Sequence, residues 1–290
     1  MYKVIKLLFE YTIVNLLFTF LSFLPVQWVT YIGGKIFKLI GPLSKANKIA
    51  KENYKKVFTN LNNKEIDNNI SKSWENLGKT IFEISVLEKI IDENRKKIKL
   101  KGIKNIESVI KKKEKVIFFS IHQSNWEILV PSIDKLNIRV GAIYRHINNK
   151  YIDKLILKKR NQSIKNKKSF YTPKGKKSAK EIIKSLNEDT SIILLIDQKD
   201  SSGDNVKLFD NMTKTQTGFL KIARKKNLKL IPVKNIRLSN NNFEITFYKA
   251  ITPYLNYNTD AEAMLDIHKI IEGWIRENPS QWFWQHKRFS

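Results

Sequence analysis

Short apolar runs set between segments of helical period constrain this chain more than any other feature. Val116 to Ile121 and Ser191 to Ile196 are nearly unbroken apolar stretches bounded by charged or polar positions. Each is too short for a buried helix of its own and reads as a strand covered on both faces. Val140 to Tyr144, Leu228 to Val233 and Phe243 to Tyr248 read as further strands. Helical spacing marks Tyr151 to Arg160, Ser178 to Leu186, Thr217 to Lys226 and Asp260 to Arg276. Upstream, Ile66, Ile70, Trp74, Leu77 and Ile81 recur at intervals of three and four. Strands and helices alternating at this spacing predict an α/β domain, a mixed or mostly parallel sheet flanked by helices. Lys96 to Lys115 reads as a charged hairpin or loop region, and Lys165 to Lys177 as a basic loop.

The chain is 290 residues long, enough for one domain with a terminal appendage. Ile5 to Leu24 is that appendage: mostly apolar, interrupted by Lys6, Glu10 and Asn15, and continuing past Pro25 to Trp28 and Val29. About twenty helical residues cross a hydrocarbon core. A spanning helix would have to bury Glu10, whereas an interfacial one could keep it wet, with Trp28, Tyr31 and Lys35 near the headgroups. The expected division is therefore a membrane anchor over residues 1–29 and the main domain over 30–290. No small-x-small cleavage site follows the apolar run cleanly, so the anchor is expected to be uncleaved.

With 54 Lys+Arg against 27 Asp+Glu, the net charge is +27. Such an excess suits nucleic acid, an anionic lipid surface or an acidic protein partner. Part of it also fits codon bias, because Lys, Asn and Ile are heavy throughout. No zinc-finger, helix-turn-helix or RNP-type signature accompanies the charge, which weighs against nucleic acid. There are no cysteines, so disulfides, thiolate metal sites and a cysteine nucleophile are excluded. The four histidines are scattered at 122, 146, 268 and 286 without paired spacing, which argues against a dedicated zinc site.

The chemistry-bearing stretch is His122-Gln123-Ser124-Asn125-Trp126-Glu127, directly after the Val116–Ile121 run. A histidine at the carboxyl end of a strand, with a carboxylate five residues further on inside the next turn, can act as a general base. An imidazole takes a proton near neutral pH, and a neighbouring carboxylate fixes its tautomer and stabilises the imidazolium. A surface His beside an unrelated Glu is the competing reading. Asp197-Gln198-Lys199-Asp200 follows the Ser191–Ile196 run at the strand end where open α/β sheets place their sites; a polar turn is the alternative. Tyr144-Arg145 ends another strand, and Arg160 closes the helix after it, a position that also suits a helix-dipole partner. Gln281 to Phe289 is an aromatic and basic tail suited either to the core or to a lipid interface.

Taken together, these pieces resemble the lauroyl/myristoyl acyltransferases that add secondary acyl chains to lipid A, within the glycerolipid acyltransferase-like enzymes. Asn53-Tyr54-Lys55-Lys56-Val57-Phe58 is similar to that family's Asn-Leu-x-x-x-Phe patch. His122…Glu127 matches its His-x-x-x-x-acid dyad. Tyr144-Arg145, Asn149, Asp153 and Arg160 match a Tyr-Arg-Pro-x-x-Asn-x-x-x-Asp…Arg block in which His146 replaces Pro. Asp197-Gln198 matches its Asp-Gln/His step. Phe209…Thr215…Gly218 resembles a Phe-Gly-x-x-Ala-x-Thr-x-x-Gly stretch, with Asp210 and Thr213 in place of Gly and Ala. The Pro279-Ser280-Gln281-Trp282-Phe283-Trp284-x-His286-x-Arg288-Phe289 tail is close to its carboxyl-terminal signature.

The resemblance implies transfer of a fatty acyl chain from acyl carrier protein to a hydroxyl of a lipid A precursor, on the cytoplasmic face of the bacterial inner membrane. It implies no metal, no redox cofactor and no nucleic-acid partner. Catalytic roles fall to His122 as base, Glu127 as its orienting partner, Arg160 on the acceptor's phosphate or the thioester oxygen, and Asp197 on that Arg or the headgroup. Substrate contacts fall to Asn125, Tyr144, Arg145, Asn149, Gln198 and Arg288. A different membrane glycolipid or phospholipid acceptor, and a non-enzymatic basic membrane-binding protein, are the rival readings.

Overall fold

The computed structural model describes residues 2–92, 94, 96–166 and 169–289, with the side chains of 176–179 left aside. Its centre is a seven-stranded sheet. In chain order the strands are β1 (Ile98–Lys101), β2 (Ile117–Ser120), β3 (Val140–Tyr144), β4 (Phe170–Pro173), β5 (Ser191–Leu195), β8 (Leu230–Arg237) and β9 (Phe243–Phe247), arranged 1-9-8-2-5-3-4. β2, β3, β4, β5 and β8 run parallel; β9 turns back antiparallel to β8, and β1 lies parallel to β9. The mixed sheet flanked by helices is thus the architecture that the apolar alternation indicated. A separate antiparallel hairpin, β6 (Lys199–Leu208) and β7 (Asn211–Thr215), hangs from the end of β5.

Two stretches read as loops are partly strand. Lys96–Lys115 contains β1, and the basic stretch at 165–177 contains β4, with 167 and 168 outside the described residues. Both are four-residue edge strands, too short for alternation to register in sequence, and they form because a neighbouring strand offers backbone partners.

β2 has all four positions buried because both sheet faces are covered. Ile117 and Phe119 point into one core with Trp274 and Trp284, while Phe118 points into the other with Phe247 and Val130. The helices are α1 (Tyr2–Phe23), α2 (Val26–Ile40), α3 (Lys45–Val57), α4 (Asn63–Glu83), α5 (Leu87–Ile91), α6 (Glu107–Lys112), α7 (Leu129–Asp134), α8 (Lys150–Gln162), α9 (Lys176–Asn187), α10 (Gly218–Lys226) and α11 (Asp260–Glu277). Their starts follow local chemistry: Asn62 with Glu65, and Thr259 with Glu262, form reciprocal capping boxes.

The tail is core. Trp282, Trp284 and Phe289 are buried, and Trp284 packs 4.6 Å from Tyr54, ring centre to ring centre. Asn53 Nδ2 donates to the carbonyls of Trp284 and His286 at 2.8 and 2.7 Å. The Asn53…Phe58 patch and the carboxyl-terminal signature, more than two hundred residues apart, are thus the two halves of one contact. This removes the lipid-interface reading of those aromatics.

α1 is long and apolar enough to cross a membrane, and little of it is buried in the protein. Phe18 packs with Ile84 and Ile156, while Phe9, Ile13, Leu16, Phe20 and Phe23 face outward. Trp28, Tyr31, Leu39 and Leu43 extend that outward apolar surface through α2 and the turn after it. Glu10, the residue least suited to an apolar helix, accepts from Asn149 Nδ2 at 3.0 Å.

Candidate active site

Parallel strands end together at one edge of the sheet, and the polar residues that follow β2, β3 and β5 meet there. Chain reversal after β2 is tight. Ser124 adopts φ +57°, a conformation costing an L-residue of order 1–3 kcal/mol unless its surroundings dictate it. Here they do: Ser124 N–H donates to the Gln281 carbonyl at 2.9 Å, and its own carbonyl accepts from Thr80 Oγ1 at 2.8 Å. Asn125 is buried, gives Nδ2 to Glu83 Oε2 at 2.8 Å, and accepts the Glu127 N–H on Oδ1 at 3.0 Å. Glu83 in turn holds Arg237 in two bonds of 2.6 and 2.9 Å. A buried ion pair therefore underlies the loop that presents His122.

His122 is anchored by Asp197. The Nδ1–Oδ1 distance is 2.7 Å, and Asp197 Oδ2 accepts from the His122 backbone N–H at 3.0 Å and from Trp282 Nε1 at 2.7 Å. Burial of Asp197 pushes its pKa up. The charge of His122 and the bonds from His122 and Trp282 outweigh that and leave it below the usual carboxylate range. The other ring nitrogen, Nε2, lies 3.3 Å from Gln198 Nε2. Trp126 and Phe283 wall the imidazole, at 5.2 and 6.2 Å between ring centres.

Glu127 faces elsewhere. Its carboxylate takes Arg160 in two bonds, Nε to Oε2 and Nη2 to Oε1, both 2.7 Å, and Trp126 Nε1 at 3.1 Å. Desolvation raises the Glu127 pKa, but Arg160 more than compensates and holds it down. For Arg160, burial opposes the charge, while Glu127 reverses that effect and keeps the guanidinium protonated. Its guanidinium lies over the rings of Tyr144 and Tyr171 at 5.3 and 5.6 Å.

The structure therefore corrects the expected pairing. The partner of His122 Nδ1 is Asp197, and the partner of Arg160 is Glu127. Sequence spacing favoured the near carboxylate because the parallel pairing of β2 with β5, which sets Asp197 beside His122, is not local.

The remaining residues divide. Tyr144 and Gln198 are half-buried near the Arg160 and His122 side chains, and Arg145 is exposed at the end of β3. Asp153 binds His146 Nδ1 at 2.7 Å and the Ile147 N–H at 2.9 Å, so the histidine standing in place of proline is pinned to α8. Asn125, Asn149 and Arg288 are tied into the scaffold. Asn149 caps α8 and holds α1 through the Leu7 carbonyl and Glu10. Arg288 is buried and clamps the tail to β7 through Thr213 Oγ1 at 2.6 Å and Thr215 Oγ1 at 2.9 Å.

Two departures from the sequence resemblance have local accommodation. Phe209 and Asp210 both take positive φ in the two-residue turn between β6 and β7, and Thr213 supplies the hydroxyl that Arg288 grips. Glu83 and Arg237 escaped the sequence reading altogether, and Trp282 entered it only as part of the tail signature. Only the tail's aromatic density pointed toward Trp282; nothing local marked the other two.

The model of the bacterial lipid A biosynthesis acyltransferase family matches residues 4–290. The chain belongs to that family. A search of curated proteins gives no match. Membership makes the protein an acyltransferase of lipid A biosynthesis at the level of the family.

Proposed function

We propose that this acyltransferase moves a fatty acyl chain from acyl carrier protein to a hydroxyl of a lipid A precursor, with His122 as general base. The observation that carries the reading is the His122 ring held at Nδ1 by Asp197, with Nε2 at 3.3 Å from the half-buried Gln198. An acceptor hydroxyl that displaces Gln198 would give its proton to Nε2 as its oxygen attacks the thioester carbonyl. Collapse of the tetrahedral intermediate breaks the C–S bond, and the imidazolium returns the proton to the departing thiolate. Asp197 stabilises the transient imidazolium. Arg160, its charge matched by Glu127, is a rigid positive element beside the site rather than a free cation.

Acyl carrier proteins are small and acidic, and α8 offers a surface that suits them. Lys150, Lys154 and Lys158 are exposed at successive turns of the helix that carries Arg160. The outward apolar residues of α1 and α2 suit a lipid surface, with Glu10 satisfied by Asn149 on the protein side. We place the enzyme on the cytoplasmic face of the inner membrane on that basis.

The test is transfer from radiolabelled acyl carrier protein to purified lipid A precursor, with glycerophospholipids as competing acceptors and His122→Ala as control. Loss of about two or more decades of turnover in a folded His122→Ala protein is expected. Transfer to a phospholipid in preference to the lipid A precursor would reassign the acceptor, and near wild-type transfer by His122→Ala would remove the base.

A further inference from the structure

The tail that crosses the site carries a second imidazole. Phe283 N–H donates to the His122 carbonyl at 2.9 Å, and Trp282 is bonded to Asp197, so the tail is fixed to the site on one side. Beyond them, Gln285 Nε2 reaches Ser73 Oγ at 3.2 Å and Arg288 is clamped to β7, fixing the other side. His286 lies between, its carbonyl held by Asn53 at 2.7 Å. Its ring Nε2 is buried and, among the described residues, has no hydrogen-bond partner. A buried polar atom left in that state costs about 1–3 kcal/mol, so beside a reaction centre it marks a place for a ligand atom.

The electrostatic setting of this ring differs from that of His122. Burial comes first and disfavours its charged form; Asp197 opposes this, and His122, Arg288 and Arg145 reinforce it. The net result is a pKa below the usual histidine range, hence a neutral ring at pH 7 with one N–H and one lone pair. In the chain, His286 stands three residues after Phe283, which binds the His122 carbonyl, and four after Trp282, which binds Asp197. A neutral donor suits a site where His122 becomes positive during reaction, because it adds no repulsion to that imidazolium.

We propose that His286 is a second functional imidazole of the site, donating from Nε2–H to the thioester carbonyl oxygen as negative charge gathers there. It forms no covalent bond and keeps its proton; the acceptor's proton travels through His122 to the sulfur. This rests on the acyl-transfer reading above. Asn53 and the tail that it grips then position a reacting group as well as the core.

The experiment compares full-length His286→Ala, His286→Leu and His286→Gln with wild type for kcat, KM for the acyl carrier protein and pH–rate profile. Glutamine keeps an N–H near the place of Nε2, and leucine fills similar space without a donor. Ala and Leu are expected to lower kcat about 10²–10³-fold, the scale for one oxyanion donor, with KM changed less than about threefold. Gln is expected to recover about tenfold or more of that loss, and the acid limb of the profile to stay in place. A folded Ala or Leu variant with kcat within about threefold of wild type, or a Gln variant no better than Leu, would overturn the proposal. So would ring ¹⁵N shifts showing wild-type His286 charged at pH 7, a readout that needs no variant to fold. Wild type inactive on every lipid acceptor would sink the acyl-transfer reading and this inference with it, whereas an active wild type with an equally active Leu variant sinks this inference alone.

Discussion

Asp197→Asn removes one charge and changes almost no volume, so its effect isolates what the carboxylate does for His122. Asp197 faces three N–H donors: His122 Nδ1 on Oδ1, and the His122 backbone and Trp282 Nε1 on Oδ2. An asparagine has one oxygen and one NH₂ for those three. If its oxygen stays with the two donors at Oδ2, its NH₂ meets His122 Nδ1 and forces that nitrogen to be the acceptor. The ring proton then sits on Nε2, the atom that must receive the hydroxyl proton, and the base is blocked. If the oxygen turns to Nδ1 instead, the NH₂ abuts two N–H groups, leaving buried donors unpaired at about 1–3 kcal/mol each. The first arrangement is cheaper. Turnover should therefore fall about 10³–10⁴-fold, the scale of a catalytic histidine held in the wrong tautomer, or about 4–5.5 kcal/mol of barrier. Initial rates of acyl transfer measure it, circular dichroism checks the fold, and ring ¹⁵N shifts report which His122 nitrogen is protonated. An Asp197→Asn enzyme that keeps kcat within about tenfold of wild type would refute the assignment of Asp197 as the tautomer-fixing partner.

Glu127→Gln should act through Arg160. It strands a buried guanidinium, at about 3–5 kcal/mol, and should lower Tm by about 5–8 °C, with Arg160→Met in the same chain recovering much of it. A single variant as heat-stable as wild type would contradict the bidentate pair. His268 donates Nδ1–H to the Lys207 carbonyl, and burial holds its pKa at about 4 against an unfolded value of 6.5. The unfolded chain binds the extra proton in that window, so stability should fall by up to about 3 kcal/mol as pH drops from 6.5 to 4. His268→Asn should flatten the slope in urea titrations, and equal slopes for variant and wild type would reject the effect. Gly78 touches α2 so closely that an added Cβ would stand 2.2 Å from the Gly33 carbonyl oxygen and 2.4 Å from Phe37 Cβ. Gly78→Ala should cost about 1–3 kcal/mol, seen as a Tm loss of about 2–5 °C, whereas Gly273→Ala, in open space on α11, should be neutral or stabilising.

Sequence alone determined the α/β layering, because Val116–Ile121 and Ser191–Ile196 are too short and too apolar to be anything but covered strands. It marked His122, directly after a buried strand, as the candidate base. It marked the apolar helix before Pro25, and it found the Asn53 patch and the tail as separate signals. Tertiary structure decided the partners. Asp197 lies 75 residues from His122 and reaches it only through the pairing of β2 with β5, while Glu127, near in sequence, is drawn to Arg160 by a desolvated charge that needs an answer. Asn125, Asn149 and Arg288 look like polar site residues in a linear reading, and each is tied to a group far along the chain. Local rules see period, caps and runs. Which carboxylate meets which cation is set by the crossing of strands and by the cost of leaving any buried charge unpaired.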